Sequence, residues 1–139
     1  MAKFIGNELG IKPKNVVVAS TGLIGAYLPM EKIKNGIKGI KNELGIRSNA
    51  SKAILTTDLV EKEIAVKFGN FTIGAIAKGS GMIHPNMATM LCFMTTDAKI
   101  PAAKLQKFLK NSVHKSFNMI SVDMDTSTSD MVVSWQTAR

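Results

Sequence analysis

Thr89 stands where small, turn-forming residues give way to an apolar run. A hydroxyl at such a junction can be held by a strand and still be reached by a substrate. The stretch from Ala77 to Asp97 reads AKGSGMIHPNMATMLCFMTTD: Gly79, Ser80 and Gly81 come first, then His84, Pro85 and Asn86, then Ala88-Thr89 and the apolar Met90 to Met94. The chemistry it fits is nucleophilic acyl transfer. A threonine hydroxyl is a weak nucleophile at neutral pH and needs a base beside it. If the Ala88-Thr89 peptide bond is broken, Thr89 gains a free α-amine with an ordinary pKa of about 8, and that amine can take the hydroxyl proton. An oxyanion on the attacked carbonyl then needs fixed donors. The Thr21-Gly22 bend offers a hydroxyl and a backbone N–H. The plainer reading is a glycine-rich connection followed by an ordinary strand threonine.

Other constellations weigh less. Asp123-Met124-Asp125-Thr126 fits the D-x-D-x-T pattern of haloacid-dehalogenase-like phosphatases, but that chemistry needs a metal-binding aspartate pair downstream, and the sequence after Asp130 holds no carboxylate. A calcium loop fails because its glycine position is Thr128. Capping and turning of the backbone by these Asp, Ser and Thr side chains is the simpler account. His84 and His114 lack metal-ligand neighbours at useful spacing, so no metal site is expected. His84 could serve as a base near Thr89 or bond the loop backbone; both readings stand. The spacing leaves a serine-histidine-aspartate triad open, but nothing resembles a nucleophile elbow. Lys78 to Gly81 lacks the spacing of a phosphate loop.

The elements that must position these residues alternate in type. Residues 3 to 9 read as the end of a helix closed by Gly10. Val16 to Ala19 reads as a buried strand. Pro29 opens a helix whose stripe of Met30, Ile33, Ile37, Ile40 and Leu44 carries through Gly36 and Gly39 to Gly45. Ala53-Ile54-Leu55 is a strand candidate ending at Thr56-Thr57-Asp58. Alternation through Ile64, Val66 and Phe68, then Gly69-Asn70, then Phe71-Thr72-Ile73 predicts a hairpin. Pro101 opens a second helix with Leu105, Phe108, Leu109 and Ser112 or Val113 inward. Ile120 to Val122 and Met131 to Val133 are predicted as short strands around DMDTSTSD. The expectation is an α/β chain forming a single partial domain over 1–139, with both ends cut.

Composition narrows the setting. A chain of 139 residues can bury one core. One cysteine, Cys92, within an apolar strand, fits a reducing compartment and a small buried hydrophobe. No apolar window approaches a membrane span, and MAKFIGNELG has no signal-peptide core, so a cytoplasmic protein with no membrane partner is expected. The net charge of +8 raises nucleic acid as a partner, but the lysines lie on helix faces without interleaved aromatics, and no nucleic-acid partner is expected.

STGLIGAYLPMEKI, AILTTD, TIGAIAKGSGMIHPNMATMLCFMTTDA and SFNMISVDMDTSTSD closely resemble, in this order, segments of the ornithine acetyltransferases (glutamate N-acetyltransferases) of cyclic arginine biosynthesis. The resemblance runs from Val16 to about Val133. It implies a precursor that cleaves itself between Ala88 and Thr89 into two chains that stay together. Thr89 would carry the acetyl group from N-acetylornithine to glutamate, with Thr21 and Gly22 as the oxyanion hole. Thr57, Lys78 and Thr89 would contact substrate. Some relatives also take acetyl-coenzyme A. No cofactor is implied. The implied fold is a layered α/β/β/α sandwich similar to the aminopeptidase DmpA, here in part, and the implied assembly is an oligomer of cleaved chain pairs.

Departures from the family pattern point the other way. The resemblance implies a longer polypeptide with an acidic substrate contact beyond this stretch, a glycine at Met124, an asparagine at Ser129 and a longer hairpin around Lys62 to Thr72. The closing SWQTAR matches nothing expected of the family. Two alternatives remain: a non-catalytic remnant of the family, or an N-terminal-nucleophile amide hydrolase or aminopeptidase on the same fold.

Overall fold

The computed structural model describes residues 1–45, 49–83 and 90–137. The chain divides into two compact units, Met1–Ser48 and Asn49–Arg139.

The first unit is helical. Helix α1 (Ala2–Leu9) ends at Gly10, which takes the left-handed conformation (φ 69°) as expected. The Ile11 N–H reaches back to the Gly6 carbonyl at 2.9 Å, a Schellman-type closure. A 3-10 turn, Pro13–Asn15, follows. Val16 to Ala19 corrects the predicted strand: the run is half-exposed and has no ladder among the described residues. A four-residue apolar run is only a candidate strand until another strand accepts its hydrogen bonds.

The helix predicted from Pro29 to Gly45 is broken in two. Helix α2 spans Met30–Ile37 and α3 spans Ile40–Glu43. Between them Lys38 is extended and Gly39 left-handed (φ 79°). The Gly39 N–H, lost to the helix, donates to the Glu8 carboxylate at 2.7 Å. An intrahelical bond has been exchanged for a charge-assisted one, and Leu44, the last residue of the expected stripe, is 64% exposed. Lys34 ties α2 to α1, pairing with Glu31 at 2.6 Å and lying 5.2 Å from the centre of the Phe4 ring.

The second unit is a mixed four-stranded sheet with a crossover helix. A short helix α4 (Ala50–Ala53) occupies the place of the strand expected at Ala53 to Leu55, and Ile54 remains in the helical region. Three apolar residues cannot by themselves distinguish a strand from a helical turn. The strands β1 (Lys62–Phe68), β2 (Phe71–Lys78), β3 (Leu91–Thr96) and β4 (Met131–Gln136) lie in the order β1-β2-β3-β4. The hairpin forms as predicted, with Phe68 opposite Phe71 and Gly69 at φ 57° in the first turn position. β2 and β3 are antiparallel, whereas β3 and β4 are parallel. A parallel pair requires a crossover. Helix α5 (Ala102–His114) supplies it.

Two further sequence expectations meet the sheet. Ile120 to Val122 forms an isolated bridge to Ile83 rather than a strand, because Asp123 and Met124 are both left-handed (φ 65° and 56°) and turn the chain away. The SWQ of the closing stretch extends β4, where Trp135 stacks on Phe93 with ring centres 6.3 Å apart. Leu105, Phe108 and Leu109 of α5 face Phe71, Ile73 and Met94 across an apolar groove. Met90, Leu91, Cys92, Ala98 and Val113 are buried. Among the described residues no helix is long and apolar enough to cross a membrane.

Two glycines of the broken helix should respond oppositely to alanine. Gly39→Ala places a side chain in the left-handed region and is expected to cost about 1–2 kcal/mol. Gly36→Ala, in open space within α2, is expected to gain about 0.5–1 kcal/mol. Equilibrium urea unfolding measures both.

Candidate active site

Alternation along β2 ends at Lys78, which is directly opposite Leu91, the first residue of β3, and Leu91 is in turn opposite Met131 of β4. Opposed residues share a sheet face. The lysine therefore lies over the end of the sheet at which β3 and β4 begin. It is 1% exposed, the lowest value for any charged residue among the described residues, and the side chain of Asp58 is equally hidden from solvent. Lysine almost never reaches such burial without counter-charges.

Two carboxylates provide them. Asp58 belongs to the bend after α4. It accepts the Gly79 N–H at 2.7 Å, the Lys62 ammonium at 2.5 Å and a longer 3.5 Å bond from the Thr56 N–H. Asp130 immediately precedes β4 and accepts the Met90 N–H at 2.6 Å. Its second oxygen is buried and finds no hydrogen-bond partner among the described residues. Burial pushes the Lys78 ammonium below the usual lysine range, and the charges of Asp58 and Asp130 oppose that shift. Burial raises Asp58, but bonds from Lys62, Gly79 and Thr56 outweigh it and leave the carboxyl below its ordinary value. Asp130 goes the other way: burial raises it, and the Met90 N–H with the Lys78 charge offsets only part. A cation held among fixed carboxylates can pair with an anionic substrate group or steady a developing oxyanion without reorganising.

The residues expected from sequence fall in different places. Lys78 Nζ lies 3.4 Å from the hydroxyl of Thr56. Thr57, the neighbour expected to meet substrate, is exposed in the same bend. Thr21 and Gly22 lie in the first unit, between the 3-10 turn and α2, where Thr21 is half-buried and Gly22 exposed. Ala88, Thr89 and His84 lie outside the described residues. The residues immediately flanking that stretch are described. On its near side, Ile83 and Val122 exchange backbone bonds (2.8 and 2.5 Å), and the Met82 N–H donates to Asp123 at 3.1 Å. On its far side, Met90 bonds Asp130 and gives its carbonyl to the Met131 N–H at 3.0 Å.

Sequence reasoning passed over Thr56, Asp58 and Asp130 as site residues. Asp58 was visible only as the last letter of AILTTD. Asp130 lay within a loop read as self-capping. The capping is real, since Ser127 accepts the Ser129 N–H at 3.2 Å, but the two end aspartates bond backbone some forty residues away. Cys92 is a buried small hydrophobe as expected, and burial pushes its thiol up, away from reactivity.

The ArgJ family profile matches residues 1–138. Most of SWQTAR, read from sequence as foreign to the family, therefore lies inside the match. The chain is 55% identical over 130 residues to the arginine biosynthesis bifunctional protein ArgJ of Listeria monocytogenes, a match covering 91% of this chain and 33% of that protein. It is 50% identical over 139 residues to the protein of the same name from Symbiobacterium thermophilum, covering 96% and 35%. It is 53% identical over 135 residues to that of Staphylococcus aureus, covering 94% and 33%. The chain spans about one third of the length of these curated relatives.

Two outcomes are expected from these charges and dihedrals. Because Asp58 titrates below its ordinary range when folded, its contribution is full above about pH 4 and is lost as pH falls through the folded-state value. Asp58→Asn should therefore lower the urea midpoint at pH 7, and the gap to the parent should close toward pH 3. Asp130, shifted upward, works with the opposite sign, so Asp130→Asn should show no such loss at pH 7. Met124→Gly, at φ 56°, should raise stability by about 1 kcal/mol by removing a left-handed side chain, measured by the same unfolding.

Proposed function

The chain belongs to the ArgJ family, and from that premise we propose that it is the part of an acetyltransferase of arginine biosynthesis that carries the nucleophile, moving acetyl from N-acetylornithine to glutamate through an acetyl-Thr89 intermediate. The reading is supported chiefly by the buried Lys78, whose partner Leu91 is two residues beyond Thr89 in the chain. A sheet end that holds a desolvated cation opposite the second residue after a threonine has the electrostatics acyl transfer needs.

In this reading Thr89 is first exposed by self-cleavage. Its hydroxyl oxygen attacks the Ala88 carbonyl, the C–O bond forms as the C–N bond breaks, and the hydroxyl proton passes to the departing amine. Water then hydrolyses the ester, leaving an Ala88 carboxylate and restoring the Thr89 hydroxyl. In turnover the Thr89 amine takes the hydroxyl proton while the oxygen attacks the acetyl carbonyl of N-acetylornithine. Thr21 and the Gly22 N–H stabilise the oxyanion, and the proton leaves on the ornithine amine. The glutamate amine reverses these steps and departs with the acetyl group. Lys78 and Thr57 orient substrate. The whole polypeptide has the layered α/β/β/α fold and works in the cytoplasm as an oligomer of cleaved pairs, without a cofactor, and acetyl-coenzyme A is a second donor to be tried.

Thr89→Ala in a chain of full family length should stay whole by intact-mass analysis while the parent divides into two. If the parent also stays whole, self-processing is lost. The parent should form N-acetylglutamate from N-acetylornithine and glutamate, and release little acetate when glutamate is omitted. Acetate released equally well without acceptor would mark an amide hydrolase instead, and no turnover at all a non-catalytic remnant.

A further inference from the structure

The loop DMDTSTSD was read from sequence as a turn without chemistry, yet it is bonded to both flanks of the stretch that contains Ala88-Thr89. Its first residue, Asp123, accepts the Met82 N–H, and Val122 beside it bridges Ile83. Its last residue, Asp130, accepts the Met90 N–H, and the next residue, Met131, bonds the Met90 carbonyl. The near contact is tight: a Cβ on Gly81 would sit 2.7 Å from the Asp123 carboxylate. It is also held in sparsely populated backbone conformations, since Met82, Asp123 and Met124 are all left-handed (φ 54°, 65° and 56°). Aspartate tolerates that region, whereas methionine adopts it only where its surroundings hold it there.

We propose that this loop is a clamp for processing, with Asp123 and Asp130 as positioning residues that fix the backbone on either side of the scissile bond through the Met82 and Met90 N–H groups. The inference rests on the self-cleavage reading above and assigns no atom of either carboxylate to the bond-making step. Its physical basis is the demand of an intramolecular attack. The hydroxyl and carbonyl carbon must be held about 3–3.5 Å apart in one orientation. A segment bonded at both ends to one loop has less conformational freedom to lose in reaching that geometry. Both bonds are charge-assisted, the stronger class of hydrogen bond. The pairing also divides the labour: Asp123 holds the residues before the cut, and Asp130 holds the residue that follows the new N-terminus.

The test is the rate of self-cleavage in a chain of full family length, followed by gel and intact mass after synthesis. Losing a charged hydrogen bond worth about 1.5–3 kcal/mol is expected to slow cleavage by about 10- to 100-fold in Asp123→Ala and Asp130→Ala. Asp123→Asn and Asp130→Asn keep an acceptor oxygen and should cleave within about threefold of the parent. Asp97→Ala is the control for general weakening. Asp97 accepts the Thr72 N–H at 2.7 Å just past the opposite end of β3, and its loss should leave the rate unchanged. Alanine variants that cleave at the parent rate, asparagine variants as slow as alanine, or an Asp97→Ala slowed equally would each overturn the clamp. A parent that stays whole removes the self-cleavage reading and the clamp together; a parent that cleaves beside unaffected alanine variants removes the clamp alone.

Discussion

Burying the ammonium of Lys78 is the constraint to which the sheet end of the second unit answers. Removing a cation from water costs several kcal/mol even after the protein relaxes. At 1% exposure, Lys78 recovers little of that from solvent. The cost is offset by Asp58 from one side of the sequence and Asp130 from the other, and each carboxylate is itself anchored to backbone, at Gly79 and Met90. Those anchors secure the last residue of β2 and the entry to β3. The bend after α4, the β2 terminus, the start of β3 and the start of β4 are therefore tied together by charge as well as by the sheet ladder. Replacing the lysine with an apolar residue would take from Asp130 the cation that offsets its burial, whereas Asp58 would keep Lys62.

Such an arrangement has a functional sense that a purely apolar core lacks. A lysine on the surface would pair weakly with a substrate carboxylate because water screens it. Buried at the end of an interior strand, the same charge is less screened. The unequal shifts of the two aspartates follow from their bonds. Asp58 has a second cation, Lys62, and two backbone donors, and it remains firmly ionised. Asp130 has one backbone donor and one buried oxygen without a partner among the described residues, so its charge is held less securely.

Where local pattern and long-range pairing agree, the fold was legible. The hairpin could be read because Ile64, Val66 and Phe68 alternate around a two-residue turn, and because its partners are adjacent in the chain. Helix α5 and the Gly10 closure were equally local. The failures came where a neighbour distant in sequence decided. Gly39 breaks a regular apolar stripe because Glu8, thirty-one residues earlier, accepts its N–H. Ile120 to Val122 has the composition of a strand, but Ile83 offers it a single bridge before two left-handed residues end the pairing. At the site, Lys78 could be named only through resemblance, since nothing in KGSG distinguishes a buried lysine from a solvated one. Asp58 and Asp130 were illegible because their partners are backbone N–H groups, which every residue except proline carries.

A cut between β2 and β3 has a consequence for how the two products would hold together. It would leave the hairpin β1-β2 in one piece and β3, α5 and β4 in the other. The β2–β3 ladder from Ile73 opposite Thr96 to Lys78 opposite Leu91 would become a contact between chains. So would the Ile83–Val122 bridge and the Asp123 bond to Met82. Lys78 and Asp58 then lie on one chain and Asp130 on the other, so the buried charge cluster itself crosses the division. Separating the pieces would expose a sheet edge and strand charges on both sides at once. Strand pairing already in place before such a cut would carry no new cost of association. Breaking the backbone at this point would therefore free an amine while leaving the ladders on either side in place. A cut within any of the strands would not have that property.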